Sequence, residues 1–227
     1  TAAMGFAKGM LGAPPIIFTM ADMDTLHVDP SRFLGNPKNI QRVDAMPSRL
    51  ELNDRLIHCA VTKALVDRYR KRYAAIPRWW ETLEGVINAM IRGEEVVFGA
   101  GLFRSAKERI YGPTGLWLDY RGLQRDDEGR ATYFDGRKRT NIYGSLLCEN
   151  VVQHTHRLVV SEQMLEIAEL GRVVLWPYDE VACVVPEEAA ELFRQFMVST
   201  LARSPTWAPG MPLSADGYIG STYAECK

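Results

Sequence analysis

A chain of 227 residues, 47% of them hydrophobic, can bury one large core or two small ones, and it holds no stretch long and apolar enough to span a bilayer. Its formal net charge of −1 excludes binding to nucleic acid through overall basicity, so any such binding requires locally segregated cations. Four widely spaced cysteines (Cys59, Cys148, Cys183, Cys226) match no metal spacing, and with no recognisable secretory signal they point to free thiols in a reducing cytoplasm.

In chain order, residues 1–52 form an irregular N-terminal segment, a fingers remnant or a linker. The first residue, Thr1 in place of Met, suggests processing, truncation or a split gene. Met4 to Gly12 is apolar and glycine-rich, and Pro14-Pro15 punctuates before Ile16 to Asp24, which reads as a strand ending in acids. A helical pair is expected over 53–111. Its first helix is N-capped at Asn53-Asp54 and carries Ile57, Ala60, Val61, Ala64 and Leu65 at helical spacing. The basic end of that helix, Asp67 to Tyr73, reads either as a solvated face with cations favourably placed at the helix C-terminus or as a phosphate contact. Pro77 opens the second helix, Gly93 stops it, and Trp79 and Trp80 belong to its core face.

Short strands are predicted at 96–98, 116–120 and 131–134, forming one small antiparallel sheet, with turns at Gly112-Pro113-Thr114-Gly115 and Asp126 to Gly129. A long helix follows over 142–170. Then come two apolar runs, Val173 to Leu175 and Val181 to Val185, joined through Trp176-Pro177-Tyr178-Asp179-Glu180. Such runs around a turn predict a hairpin, although its tip lacks the Gly or Asn that tight hairpins prefer. A helix from Pro186 to about Ala202 and a final strand over 213–219 complete an α+β chain, with 112–227 as one domain. His154 and His156 point in different directions on a helix and are not read as a ligand pair.

Three blocks in order resemble the C-terminal portion of family A (Pol I-like) DNA polymerases, particularly those of bacteriophages. They are Gly112 to Tyr120, the helix Tyr143 to Arg157 with its Glu149-Asn150-Val151-Val152-Gln153, and Tyr178-Asp179-Glu180 followed by Val185-Pro186-Glu187-Glu188. The ending, Trp207 to Gly220, is also similar. The resemblance implies a polymerase palm whose catalytic hairpin, motif C, carries Asp179 and Glu180 as catalytic carboxylates, with Asp179 a ligand of Mg2+ (two ions, Mn2+ also possible). Two such ions would activate a primer 3′-hydroxyl and clamp the leaving pyrophosphate of a dNTP.

It also implies that Gln153 and Arg157 face the minor groove of primer–template DNA, where acceptors are similar for all base pairs. Glu149 would share that face, paired with Arg157 or Arg137, and Asn150 would be structural. Tyr178 stands where motif C has histidine and would offer its hydroxyl to the primer terminus. Arg137, Lys138 and Arg139 read equally well as a phosphate-binding run or a solvated loop.

Motif A, with its further carboxylate, and the nucleotide-gripping fingers motif lack clean matches. Asp22 is a candidate metal ligand and Lys8 a candidate nucleotide-binding residue, but the family's motif order allows only one of them. The expected function is therefore DNA-directed DNA polymerase activity in a host-cell cytoplasm, completed by a second polypeptide or an upstream segment. A non-catalytic, polymerase-like DNA-binding accessory subunit is the alternative. A carboxylate-metal nuclease or phosphatase has only the acid pair in its favour.

Overall fold

The computed structural model describes residues 18–45 and 51–226, which group into two compact units dividing between Arg78 and Trp79. Lys8 lies outside the described residues.

The first unit is helical. Short helices α1 (Met20–Thr25), α2 (Pro30–Leu34) and α3 (Pro37–Asp44) pack on the long α4 (Leu52–Arg72). Each short helix is started by a side chain that can accept from a backbone N–H, namely Thr19, Asp29 and Asn36. The expected strand ending in acids is thus a helix from Met20 on. Thr19 and Asp22 form a reciprocal capping box, which commits this stretch to a helical turn and buries Met23. Helix α4 begins earlier than expected, at Leu52. Its N-cap is Glu51, without a side-chain cap, so Asn53-Asp54 lie inside the first turn. Ile57, Ala60 and Val61 of α4 are buried against the short helices.

The second unit contains most of helix α5 (Ala75–Ile91), whose Leu83, Val86, Ile87 and Met90 repeat at helical spacing and are buried. Gly93, at φ 76°, ends it, with Gly93 N donating to Met90 O and Glu94 N to Ala89 O. Pro77 sits inside the first turn, where its missing N–H costs nothing.

Two antiparallel sheets follow in place of the one expected. The first runs β1 (Val96–Phe98), β2 (Phe103–Ala106), β3 (Arg109–Tyr111) and β4 (Trp117–Asp119); the second runs β5 (Gln124–Arg125), β6 (Ala131–Phe134) and β7 (Arg139–Asn141). The β2–β3 hairpin leaves no glycine signal in the sequence because Lys107 itself adopts φ 54°. The polar Glu108 next to it supports the neighbouring chain. Its carbonyl accepts from Tyr120 N at 2.7 Å and its carboxylate from Gly122 N at 2.9 Å.

Helix α6 (Gly144–Leu170), hairpin strands β8 (Arg172–Leu175) and β9 (Ala182–Val184), a 3-10 turn (Glu187–Ala189) and α7 (Ala190–Leu201) complete the regular structure apart from a last 3-10 turn, Tyr223–Glu225. The expected final strand is not formed. Residues 213–219 run as irregular chain beside α7, where a Cβ on Gly217 would lie 2.7 Å from Val198 Cγ2. Leu213 and Ala215 are half-buried there, while Ile219 is exposed, and the segment has no strand partner.

The main core joins α5, both larger sheets and the start of α6 through Leu83, Ile87, Ile110, Ile142, Leu147 and their neighbours. It depends on a very close helix crossing. Gly144 N donates to Glu84 Oε2 at 2.6 Å, and a Cβ on Gly144 would stand 2.0 Å from Trp80 O. Gly85, one residue from Glu84, has open space around its own Cβ position. Gly144→Ala should therefore destabilise by about 3 kcal/mol through overpacking, and Gly85→Ala should stabilise by about 0.5–1 kcal/mol through helix propensity. Urea unfolding of the two variants checks both signs. Equal effects would show that the crossing is looser than the structure has it.

Candidate functional site

The β8–β9 hairpin pairs Arg172 with Val184 and Val173 with Cys183, and a bulge at Val174 shifts the register so that Leu175 pairs with Ala182. One face of the hairpin is anchored by Val173, Trp176, Val181 and Cys183 against Val160 and Ile167 of α6 and Phe193, Phe196 and Met197 of α7. The anchoring leaves no slack at its start, because a Cβ on Gly171 would lie 2.1 Å from the Phe193 ring.

At the tip, Glu180 N donates to Pro177 O at 3.0 Å, and Tyr178 occupies the left-handed region at φ 48° with 89% of its surface exposed. A tyrosine held there costs on the order of 1 kcal/mol relative to ordinary backbone. The turn throws Asp179 outward. Its carboxylate is exposed and makes no hydrogen bond or ion pair among the described residues. Glu180 is engaged differently, since its Oε2 accepts from Tyr223 Oη at 2.7 Å. The hydrogen bond that the phenol donates to Glu180 pushes the Tyr223 pKa upward. The two adjacent acids of the tip are thus unequal, one open and one occupied.

Helix α6 passes alongside. Glu149, Gln153 and Arg157 lie on one exposed stripe, as their spacing requires. Their pairing differs from expectation. Glu149 Oε1 accepts from Gln153 Nε2 at 3.3 Å, and neither Arg157 nor Arg137 pairs with it among the described residues. The Arg157 guanidinium instead covers the Trp176 indole at 3.8 Å from the ring centroid. That stack ties α6 to the hairpin one residue from its tip turn. Asn150, on the inward side, donates through Nδ2 to Tyr120 Oη at 3.0 Å and is structural as expected. His154 Nε2 lies 3.3 Å from Leu116 O, and a Cβ on Gly112 would lie 2.6 Å from Leu158 Cδ1, so the Gly112–Gly115 turn rests on the helix.

The basic run is split by the β6–β7 turn. Arg139 is committed to structure, donating to Gly122 O at 2.6 Å, Thr132 O at 3.1 Å and Thr132 Oγ1. Arg137 and Lys138 are tied through backbone groups, both N–H groups donating to Asp135 Oδ1 and Lys138 O accepting from Asp135 N, and both residues are exposed.

Asp22 belongs to the first unit, and its Oδ2 accepts from Thr19 N at 2.7 Å and Thr19 Oγ1 at 2.8 Å. These bonds hold its pKa below the usual carboxylate value. It caps a helix locally and is not presented as an open ligand.

Between α6, the hairpin, α7 and the segment 211–226 lies an open groove of about 1190 Å³, lined by Asp179, His156 and Tyr218 among others. No group of three or more His, Cys, Asp or Glu side chains among the described residues could hold a metal ion. The described residues therefore gather no two-ion donor set around Asp179. The Arg157–Trp176 stack and the Tyr223–Glu180 bond were not legible in the sequence. Trp176 adjoins the tip and could have been suspected, but Tyr223 lies 43 residues from Glu180 with no pattern linking them.

The chain is 28% identical over 177 residues to a DNA polymerase of Bacillus phage SP02, an alignment covering 71% of this chain and 27% of that protein. The chain thus spans about a quarter of the length of that relative. No protein-family model and no solved structure matches it.

Two outcomes are expected from this geometry. A double-mutant cycle combining Arg157→Ala with Trp176→Leu should give a coupling of about 0.5–2 kcal/mol in unfolding experiments, the range of a cation–π contact. The second concerns Tyr120, whose burial pushes its phenol from its ordinary value of 10.0 up to about 12. The unfolded chain would ionise there first, so this contribution to stability is complete below pH 10 and disappears as pH rises through 12. A loss of about 2–3 kcal/mol is expected over that interval. Tyr120→Phe should remove that part of the alkaline slope in denaturation measured at stepped pH.

Proposed function

We propose that this chain is the C-terminal part, or a subunit, of a phage-type family A DNA polymerase, extending a primer on a DNA template by nucleotidyl transfer from dNTP. The observation that carries the proposal is the anchored hairpin whose tip presents Asp179 open to solvent and whose Trp176 is stacked under Arg157 of the Gln153 stripe of α6. The similarity to the phage SP02 polymerase supports it. In this reading the described part of 112–227 is the palm, 53–111 is the fingers-like helical region, and the hairpin is motif C.

Asp179 would bind one divalent ion, Mg2+ by the hardness of its oxygen donors, with Mn2+ an acceptable substitute. Bound metal would supply Lewis-acid stabilisation of the phosphoryl oxygens. The chain's own residues do the rest by position. The hairpin fixes the Asp179 backbone through its packing on α6 and α7. The Arg157–Trp176 stack holds the tip against the helix. Gln153 offers an amide to minor-groove acceptors, and Glu149 orients that amide by accepting its other hydrogen. Arg137 and Lys138 are placed to meet phosphates. Tyr178 projects its phenol from the tip toward whatever lies over Asp179. Glu180, held by Tyr223, buttresses the turn. The remaining carboxylate and the triphosphate-gripping cation would come from a second polypeptide or an upstream segment. Lys8, in this chain's own N-terminal segment, is the other candidate for that cation.

The donor set supports an alternative reading as well. With Asp179 open, Glu180 held by Tyr223 and no group of three or more metal-holding side chains among the described residues, a polymerase-like accessory subunit that binds DNA without catalysis fits the same geometry.

Primer extension by the chain, alone and with a polypeptide carrying the upstream polymerase segment, separates the two. Extension that falls on the order of a hundredfold or more with Asp179→Ala, while binding of primer–template persists, supports the catalytic proposal. Extension by the assembled complex that is indifferent to Asp179→Ala would refute it. Salt-sensitive primer–template binding without extension in any combination would favour the accessory reading.

A further inference from the structure

The charge of this chain is unevenly distributed. Residues 1–78 carry twelve Lys or Arg against seven Asp or Glu, whereas residues 79–227 carry fifteen against twenty-one. Half of the cations in the first group fall between residues 63 and 78, where Asp67 is the only acid. That acid is already neutralised by an ion pair with Lys63.

The same stretch is where α4 leaves its core. Val66 is buried, while every residue from 67 to 75 is exposed. A helix end surrounded by water has no packing reason to carry aromatic side chains, yet Tyr69 and Tyr73 are 47% and 52% exposed. Their rings meet at 4.9 Å between centroids, tilted by 48°. By the 3.6-residue turn, Arg70 and Arg72 lie on either side of this tyrosine face. Arg68 is held back, donating to Leu26 O. Favourable placement at a helix C-terminus accounts for cations in this position but not for a pair of exposed tyrosines.

We propose that the C-terminal end of α4 is a binding site for single-stranded nucleic acid, with the Tyr69–Tyr73 pair as a platform for unpaired bases and Arg72, with Arg70, meeting the phosphates. Aromatic faces accept any unpaired base, whereas bases in a duplex keep their faces stacked inside, so this arrangement selects single strands without selecting sequence. The segment stands on α4 alone and is independent of whether the chain catalyses nucleotidyl transfer.

The test is fluorescence anisotropy of the full chain with labelled oligothymidine, labelled oligouridine and a blunt DNA duplex across a salt series. Either single strand should bind more tightly than the duplex, and the preferred one identifies DNA or RNA as the ligand. The Tyr69→Ala/Tyr73→Ala double variant should lose about fivefold or more in single-strand affinity with an unchanged salt slope. Arg72→Ala should reduce the slope of log affinity against log salt by about 0.7. All three side chains are exposed, so unchanged unfolding midpoints will show that the variants are folded. A duplex bound as tightly as both single strands would overturn the proposal. So would a double tyrosine variant that binds oligothymidine and oligouridine like the unaltered chain.

Discussion

Helix α6 serves two hydrophobic cores at once, and the arrangement of the second unit follows from that constraint. Its first turns place Leu147 and Val151 among the residues of α5 and the larger sheets. Its later turns place Val160 and Ile167 beneath the β8–β9 hairpin and α7. A helix of 27 residues is roughly 40 Å long, so one rigid element carries position from the sheet region to the hairpin tip. The contact with α5 at Gly144 sets where this element starts, since only a residue without Cβ fits against Trp80 O. Gln163 reinforces the far half. Its buried side chain donates to Leu201 O at 3.1 Å and Arg203 O at 3.0 Å, satisfying carbonyls at the end of α7.

The charged candidates are sorted by what holds them. Arg139 is consumed by backbone carbonyls, Arg157 by an indole face and Glu180 by a phenol. What remains open is Asp179 on the hairpin, and Arg137 and Lys138 on the β6–β7 turn. Structural commitment thus narrows a broad set of charged candidates to a few side chains free to meet a ligand. The cost is a left-handed Tyr178, tolerated because the strands on both sides are anchored.

Long helices were readable because their apolar residues repeat over many turns. The spacing in α5 and α6 specifies both element and buried face. Strands β2 and β3 were missed for the opposite reason. Phe103-Arg104-Ser105-Ala106 is too short and too polar to signal a strand, and its turn uses Lys107 where a glycine would have announced a hairpin. Met20 to Asp24 misled through its apolar run, since the deciding interaction is the local Thr19–Asp22 capping box. Residues 213–219, expected as a strand, run instead as irregular chain that places Gly217 against Val198 of α7.

By itself the sequence determined the long helices, the hairpin with two acids at its tip and the motif order that resembles phage polymerases, because these depend on local periodicity and residue type. Only the tertiary structure decided that Asp179 is open while Glu180 is held by Tyr223, that Arg157 turns to Trp176, and that Arg139 serves the sheet. Those outcomes depend on groups distant in the chain competing for the same charge or ring, and no local pattern records which partner wins.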